Sequence, residues 1–469
     1  MELDEFVLSI TRETQGRADY LLQHLYDIQQ AYGGIPEAAI ALLVKELSLS
    51  EARIRGVIDF YAFLESGPGI PYRIHFSDNI TDQLLGNRAL MQQLRTELGH
   101  HTGKGPDASR LAINTTSCTG ICDQGPAMLV NGRAIGRLDP ERISEIAELI
   151  KSGASLEAWP QALFQVEDQV QREGMLLSER HPADQALKSL VTAGTEQALQ
   201  AIEHSQLRGR GGAGFNTAAK WQLCKQTPAD RRYVICNADE GEPGTFKDRV
   251  LLNRHADGVF DGMTIAARIV EADKGFLYLR AEYAYLREKI ERILQSRRDA
   301  GLLGSDILGV QGFDFDIEVR MGAGAYICGE ESALIESLEG KRGIPRRRPP
   351  FPVSQGYLDR PTLVNNVETF MAAALITIHG AEWFRSTGTA QSSGSKILSI
   401  SGDCERRGIY EYPYGTSIEQ VLQDCGARDT QAVQVSGAAG ITLRPAEFQR
   451  RLAFENIQRG GAERAVFQR

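Results

Sequence analysis

The sequence predicts a multidomain α/β protein: a short helical lead-in, a small mixed-sheet domain, a large ligand-binding α/β unit and a compact sheet domain closed by one helix. Three observations predict it. The 469 residues, at roughly 150 per domain, allow about three folding units. Apolar spacing switches along the chain from the three-and-four rhythm of helices to the alternation of strands and back. Three glycine-dense loops fall together in the middle of the chain, between segments that read as helices and strands.

Residues 1–65 read as helices. Ala18, Leu21, Leu22, Leu25, Ile28 and Tyr32 form one apolar stripe that Gly33-Gly34 ends before Pro36 opens the next helix. Ser48 to Glu51 has capping-box spacing and is expected to open a third helix through Phe60. Residues 66–152 change pattern: a strand (Tyr72 to Ser77), a helix (Asn87 to Leu98), a strand (Leu111 to Thr115) and a hairpin from Ala127 to Leu138 turning at Asn131-Gly132. Asp139-Pro140-Glu141 then caps a helix that ends near Gly153. That order gives a small mixed sheet covered by helices, as in thioredoxin-like domains. Residues 153–184 are polar with weak periodicity and read as a linker. Residues 185–392 alternate helix, glycine-rich loop and strand, a large α/β unit. Residues 393–455 offer a strand (Ile397 to Ser401), a partner around Ile409 to Tyr412 and a helix (Ser417 to Cys425), a β-grasp-like domain. Residues 456–469 read as the start of an unfinished segment.

With 42% hydrophobic and 24% charged residues the chain can bury real cores and is not expected to be disordered. A formal charge of -9 argues against nucleic acid as a partner. Uninterrupted apolar runs, such as Ala38 to Val44 and Phe370 to Ile376, fall far short of the roughly 20 residues a membrane-spanning helix needs. The acidic start, Met-Glu-Leu-Asp-Glu, is not that of a secretory signal, so a cytoplasmic protein without membrane contact is expected. Seven cysteines, an odd number thinly spread, do not form a disulfide framework and point to a reduced compartment. Only Cys118 and Cys122 stand close enough to share a metal; Cys224, Cys236, Cys328, Cys404 and Cys425 read as small buried apolar residues.

Leu207-Arg208-Gly209-Arg210-Gly211-Gly212-Ala213-Gly214-Phe215 is the densest signal. Gly209-x-Gly211-x-x-Gly214 has dinucleotide-fingerprint spacing, but a helix, not a strand, is expected before it, and no Gly-Lys-Ser/Thr follows to make a P-loop. What remains is an anion cradle: glycines let backbone amides approach a ligand, and Arg208, Arg210 and Lys220 supply cations. A tight turn with solvated arginines is the plainer alternative. Asn237-Ala238-Asp239-Glu240-Gly241-Glu242-Pro243-Gly244 follows the apolar run Tyr233 to Cys236, placing carboxylates at a strand end, where open α/β sheets bind ligands. Contacts to hydroxyls or ring nitrogens suit it better than a metal, since no histidine is near; a solvated acidic loop is the alternative. Met321 to Ser332 crowds glycines, Tyr326 and two carboxylates before a helix, where carboxylates also simply complement the helix dipole. Arg346-Arg347-Arg348 precedes Pro349-Pro350-Phe351-Pro352, and Asn365-Asn366 sets two amides before another helix.

In combination these motifs resemble the NADH-oxidising flavoprotein family of respiratory complex I, NAD-reducing hydrogenases and NAD-dependent formate dehydrogenases. The resemblance runs from about residue 190 to 455, and residues 1–150 resemble the family's thioredoxin-like partner, fused here to the front. That fusion is most similar to the diaphorase flavoprotein subunits of the soluble NAD-reducing hydrogenases. The resemblance implies an enzyme with a central FMN- and NAD(H)-binding α/β domain and a β-grasp-like (SLBB) domain. It assigns Gly209, Arg210, Gly211 and Lys220 to FMN, with the phosphate near Asn365 and Asn366. It turns Asn237, Asp239, Glu240, Tyr326, Gly329 and Glu330 toward the isoalloxazine and ribityl groups. Phe215 and Phe351 would sandwich the adenine of NADH, with Leu223 where the family often has a third aromatic. Glu331 and Glu242 are the implied catalytic-site carboxylates, Glu331 beside the nicotinamide and Glu242 against a 2′-phosphate, which a carboxylate repels while it accepts from a ribose hydroxyl.

The implied activity is hydride exchange between NAD(H) and FMN, with single electrons then passing to iron-sulfur clusters. The implied partners are a small iron-sulfur diaphorase subunit and a hydrogenase module, so that hydrogen oxidation reduces NAD⁺. A complex I or formate dehydrogenase subunit, and a non-catalytic assembly platform, are the alternatives. Two departures stand out. Relatives with a [2Fe-2S] cluster use C-x4-C and C-x3-C; here Cys118-x3-Cys122 keeps the second pair and Ser77 and Asp82 take the places of the first. A clusterless domain is the expectation, a site completed by Ser or Asp oxygen the alternative. The C-x2-C-x2-C of the family's [4Fe-4S] domain is not found in this chain, so a truncated sequence, active with small dyes but not with a hydrogenase module, is expected.

Overall fold

A computed structural model describes residues 1–99, 111–437, 440–457 and 464–468. Its contacts divide the chain into two compact units, one formed by residues 1–167, 279–285 and 320–346, the other by residues 168–278, 286–319 and 347–469.

The first unit opens with helices Leu3–Glu13, Leu21–Tyr32, Glu37–Glu46 and Glu51–Ile58. Leu21, Leu22, Leu25 and Ile28 bury the expected stripe, and Gly33, left-handed at φ 68, ends that helix. The Leu3–Glu13 helix lies within the stretch that reads as helices, and on it only Val7 and Thr11 are buried. The cap is corrected by two residues: Ser50, not Ser48, caps the next helix by accepting from Arg53 N at 3.3 Å. Ser48 has φ 52, whereas an N-cap needs extended backbone, and the helix stops at Ile58 rather than Phe60.

Four strands form the sheet of this unit in the order Leu111–Thr116, Tyr72–Ser77, Met128–Val130, Arg133–Ile135. The first two are parallel, Tyr72 opposite Leu111 and Ser77 opposite Thr116, and Met128–Val130 pairs antiparallel with both Tyr72–Ser77 and Arg133–Ile135. Helices Asn87–Glu97 and Pro140–Ser152 pack on it around Ile74, Phe76, Leu94, Met128, Val130, Ile143 and Ile146. Asp139 caps the second helix through Arg142 N (2.7 Å) and Gly153 closes it. Trp159, from the segment that reads as a linker, completes the core and donates to Ala154 O at 3.1 Å.

In the second unit a four-stranded sheet has the order Asp316–Met321, Lys274–Leu279, Tyr233–Ala238, Thr362–Asn366, and the last two strands run parallel, ending with Asn237 opposite Asn366. The edge strand starts at Asp316, just after Phe315, which is held in a bridge with Gly304. Helices Ala256–Val270 and Val367–His379 are almost wholly buried. They approach so closely at Gly262 that a Cβ there would stand 2.0 Å from Phe370 O, so only glycine fits.

A six-stranded sheet completes this unit, in the order Ile441–Leu443, Ala432–Val435, Arg464–Gln468, Ser395–Gly402, Gly408–Pro413, Val170–Arg172. Helix Ile418–Cys425, capped by Ser417, closes its core. Its edge strand comes from the apparent linker: Val170 pairs with Ile409, and the buried Glu411 carboxylate accepts from Gly174 N, Leu176 N and Leu177 N at 2.8 to 3.1 Å. The segment that reads as unfinished also contributes a strand, Arg464–Gln468, parallel to one neighbour and antiparallel to the other. Among the described residues no helix is long and apolar enough to cross a membrane.

Candidate functional site

The glycine-rich loop joins helix Thr195–His204 to helix Thr217–Gln226, so the helix–loop–helix context excludes a Rossmann turn. The loop closes on itself through Gly209 N to Phe215 O (2.9 Å) and Thr217 N to Leu207 O (3.0 Å). Asn216 caps the second helix through Ala219 N at 2.8 Å. Gly212 (φ 122) and Gly214 (φ 60) take backbone that side chains avoid, and a Cβ on Gly214 would lie 2.6 Å from Phe454. Gly211 passes Asn366 so closely that a Cβ would stand 3.2 Å from that residue's own Cβ.

The loop arginines have a different task from the one expected. Arg208 Nε donates to Gly214 O at 2.7 Å, and its guanidinium lies 4.1 Å from the Phe454 ring centre. Arg210 is buried; its guanidinium donates to Tyr414 Oη and to Ser393 O (3.1 Å) and stacks on the Tyr414 ring. Its own N–H donates to Thr369 Oγ1 at 2.9 Å. Both cations therefore fasten the cradle to its neighbours. Lys220, one turn into the helix, reaches the strand end instead, donating to Val364 O at 2.7 Å.

Where the parallel strands Tyr233–Ala238 and Thr362–Asn366 end, the side chains converge. Trp221 Nε1 donates to Asn365 Oδ1 at 2.9 Å. Asn366 Oδ1 caps the following helix through Glu368 N (3.0 Å) and accepts from Lys247 Nζ (3.2 Å), while its Nδ2 donates to Asp248 Oδ2 (2.6 Å). Lys247 Nζ lies 2.6 Å from Asp248 and 3.0 Å from Glu368, and Lys396 Nζ lies 2.8 Å from Glu368. All four charges are buried. Burial by itself would raise the Glu368 pKa, but Lys396, Lys247 and Arg210 outweigh it and hold the carboxyl at about 2. Sequence reasoning missed Lys247, Asp248 and Lys396, and valued Asn365 and Asn366 for their amides while passing over Glu368 in the same run. The adjacent Lys247-Asp248 pair was the visible signal.

Within the acidic loop Asn237 Oδ1 accepts from Asp239 N at 3.1 Å. The buried Glu240 carboxylate turns to helix Lys247–Arg254 and accepts from Asp248 N at 3.1 Å. Asp239 and Glu242 are half-buried. Phe215 is 54% exposed, Phe351 51% and Leu223 48%, large apolar faces that a stacked ligand would cover. A backbone cradle beside a helix N-terminus, a lysine, amides at a strand end and bare aromatic rings suit a phosphorylated, ring-bearing cofactor such as FMN.

Tyr326, Gly329, Glu330 and Glu331 belong to the first unit. Tyr326 is exposed in the turn Tyr326–Gly329. Glu330 is the N-cap of helix Glu331–Leu338, accepting from Ser332 N and Ala333 N at 3.0 Å, with Glu331 half-buried in the first turn. The helix-dipole alternative for this carboxylate pair describes the position of Glu330, at the positive end of its helix.

Ser77, Asp82, Cys118 and Cys122 do meet, all buried, around one further residue. Asn79 Nδ2 lies 2.7 Å from Ser77 Oγ, 2.6 Å from Asp82 Oδ2, 3.4 Å from Cys122 Sγ and 3.6 Å from Cys118 Sγ. The two sulfurs touch at 3.3 Å, and the contact with Cys118 together with burial pushes the Cys122 thiol well up. A [2Fe-2S] cluster is held by four thiolates. Two thiols packed on an amide do not fit it, and among the described residues no group of three or more His, Cys, Asp or Glu could hold a metal ion.

Residues 202–374 match the Nuo51 FMN-binding domain family, and residues 7–151 match the thioredoxin-like [2Fe-2S] ferredoxin family. The chain is 44% identical to the NAD-reducing hydrogenase HoxS subunit alpha of Cupriavidus necator, over 98% of this chain and 79% of that one. It is 41% identical to the NADP-reducing hydrogenase subunit HndC of Solidesulfovibrio fructosivorans, over 58% of this chain and 56% of that one. A crystal structure of NAD⁺-reducing [NiFe]-hydrogenase in the H2-reduced state superposes with a TM-score of 0.90 at 42% identity, covering 96% of this chain and 77% of that one.

Proposed function

The chain belongs to the family of NAD-reducing hydrogenase alpha subunits, and from that premise we propose that it is the diaphorase subunit in which NAD(H) and FMN exchange hydride. FMN supplies the redox chemistry, taking two electrons as hydride and releasing them singly. The chain's own residues bind and orient. Gly209, Gly211 and Lys220 hold the flavin phosphate end, with Asn365 and Asn366 beside it. Arg210 is a positioning residue, fixing the loop to Tyr414 and Ser393. Asn237 and Asp239 offer polar contacts to the ribityl and ring, whereas Glu240 holds their loop on its helix. Phe215 and Phe351 stack the nucleotide and Glu242 selects against a 2′-phosphate. Partners are an iron-sulfur diaphorase subunit and a hydrogenase module, and the setting is the cytoplasm, a reduced compartment that suits seven free cysteines.

The observation that carries this reading is the glycine loop folded against Asn366, with Lys220 reaching the same strand end. Acid extraction and chromatography of the purified chain test it. Stoichiometric FMN together with NADH-dependent ferricyanide reduction is expected. Recovery of FAD, or a colourless inactive protein, overturns it.

A further inference from the structure

We propose that Asn79 is an internal stopper: its carboxamide occupies the middle of the Ser77, Asp82, Cys118 and Cys122 pocket and closes it to an iron-sulfur cluster. One amide nitrogen is within 2.6 to 3.6 Å of all four side chains. Its aim is fixed by the backbone. Asn79 is the N-cap of helix Ile80–Leu84, and Oδ1 accepts from Asp82 N at 2.9 Å. An amide oxygen cannot donate, so the oxygen must face that N–H and the nitrogen must face the pocket.

The surroundings complete the plug. Gly120 N donates to Cys118 Sγ at 3.3 Å, and buried Arg280, paired with Glu282, donates to Cys118 O at 2.7 Å. Gly120 itself, left-handed at φ 74, is pressed against Tyr283, where a Cβ would meet ring atoms at 2.4 Å. The cysteine loop is thus held from both sides. A core of two irons and two sulfides held by four thiolates would need the space the carboxamide fills and would replace its hydrogen bonds to the pocket by metal bonds. The domain is therefore a cofactor-free element of the subunit, independently of the flavin reading.

Reopening the pocket tests this. Ser77→Cys and Asp82→Cys supply two more sulfurs, and Asn79→Ser withdraws the amide while retaining a capping oxygen. Full-length chains are reconstituted anaerobically with ferrous iron and sulfide, and iron, sulfide and the visible spectrum are measured. The triple variant is expected to hold about two irons and two sulfides per chain. The Ser77→Cys/Asp82→Cys variant, with Asn79 in place, is expected to hold at least about fivefold less, close to the wild type. Equal loading of double and triple variants, or a wild-type domain that takes up the cluster, overturns the proposal. Because three buried changes can cost the fold, Asn79→Ala gives a second reading by peptide-resolved alkylation. Cys118 and Cys122 are expected to react about tenfold faster than in the wild type, while buried Cys328 of the same unit stays protected. Unchanged reactivity of the pair, with Cys328 protected, overturns the stopper role.

Discussion

Asn79 in the first unit and Asn366 in the second begin from the same local geometry. Each caps a helix through its side-chain oxygen, and each sends its amide nitrogen 2.6 Å to a carboxylate oxygen. They differ in where that carboxylate comes from. Asp82 is three residues away, inside the cap turn, and the other neighbours of Asn79 are a hydroxyl and two thiols. Asp248 is 118 residues away and brings Lys247, Glu368 and Lys396 with it. The local cluster fills its own pocket and shuts it. The long-range one is a charged scaffold that holds two strand ends and the glycine loop together. One cap chemistry serves a closed site or an open one according to whether its partners are local.

The largest effect should come from breaking the charged scaffold. Glu368→Gln leaves Lys247 and Lys396 buried without their shared counterion and is expected to lower stability by about 3–5 kcal/mol in chemical denaturation. The pH dependence has a definite sign. The folded pKa of about 2 is depressed below the ordinary 4.5, so the contribution is complete above pH 4.5 and drains as pH falls toward 2. Unfolding followed between pH 6 and 2 should show that loss in the wild type and a flatter profile in Glu368→Gln. Equal slopes would place Asn366 and its neighbours in the same class as the short-range Asn79 cluster.

Lys220→Ala tests the open site without removing a cap. Loss of a charge-assisted contact to phosphate should weaken FMN binding by about 1.5–3 kcal/mol, read by flavin fluorescence on reconstitution of the apoprotein. Glu242→Gln should narrow the preference for NADH over NADPH by about 1–2 kcal/mol in the ratio of kcat/KM values. Phe351→Ala should have the smallest effect, an increase in KM for NADH equivalent to about 0.5–1.5 kcal/mol with flavin retained. A variant that purified without flavin would move Phe351 from the transient ligand to the resident one.

Much of the fold was legible because its signals are short. Strand Tyr72–Ser77, the Asn131-Gly132 hairpin, the Asp139-Pro140 cap and the Ser417 cap each depend on residues within a few positions. Strands of three residues, such as Val170–Arg172, carry too little alternation to be recognised; that one exists because Gly408–Pro413 offers a free edge and Glu411 collects the N–H groups beyond it. For the candidate site the sequence singled out the glycine-rich and acidic loops and the residue types on them. It could not say whether Arg210, Glu240 and Glu330 would face a ligand or their own backbone, and all three turn to the protein.

The sequence by itself determined the order of the longer helices and strands and the helix–loop–helix setting of the glycine loop. Backbone propensity, capping and glycine conformation are settled within one turn of chain, before distant segments meet. Only the tertiary structure decided that Lys247, Asp248, Glu368 and Lys396 form one network and that Arg210 fastens the cradle. A charge leaving water must pair with whatever charge the folded chain brings within about 4 Å, and which one that is depends on how segments more than a hundred residues apart are laid side by side.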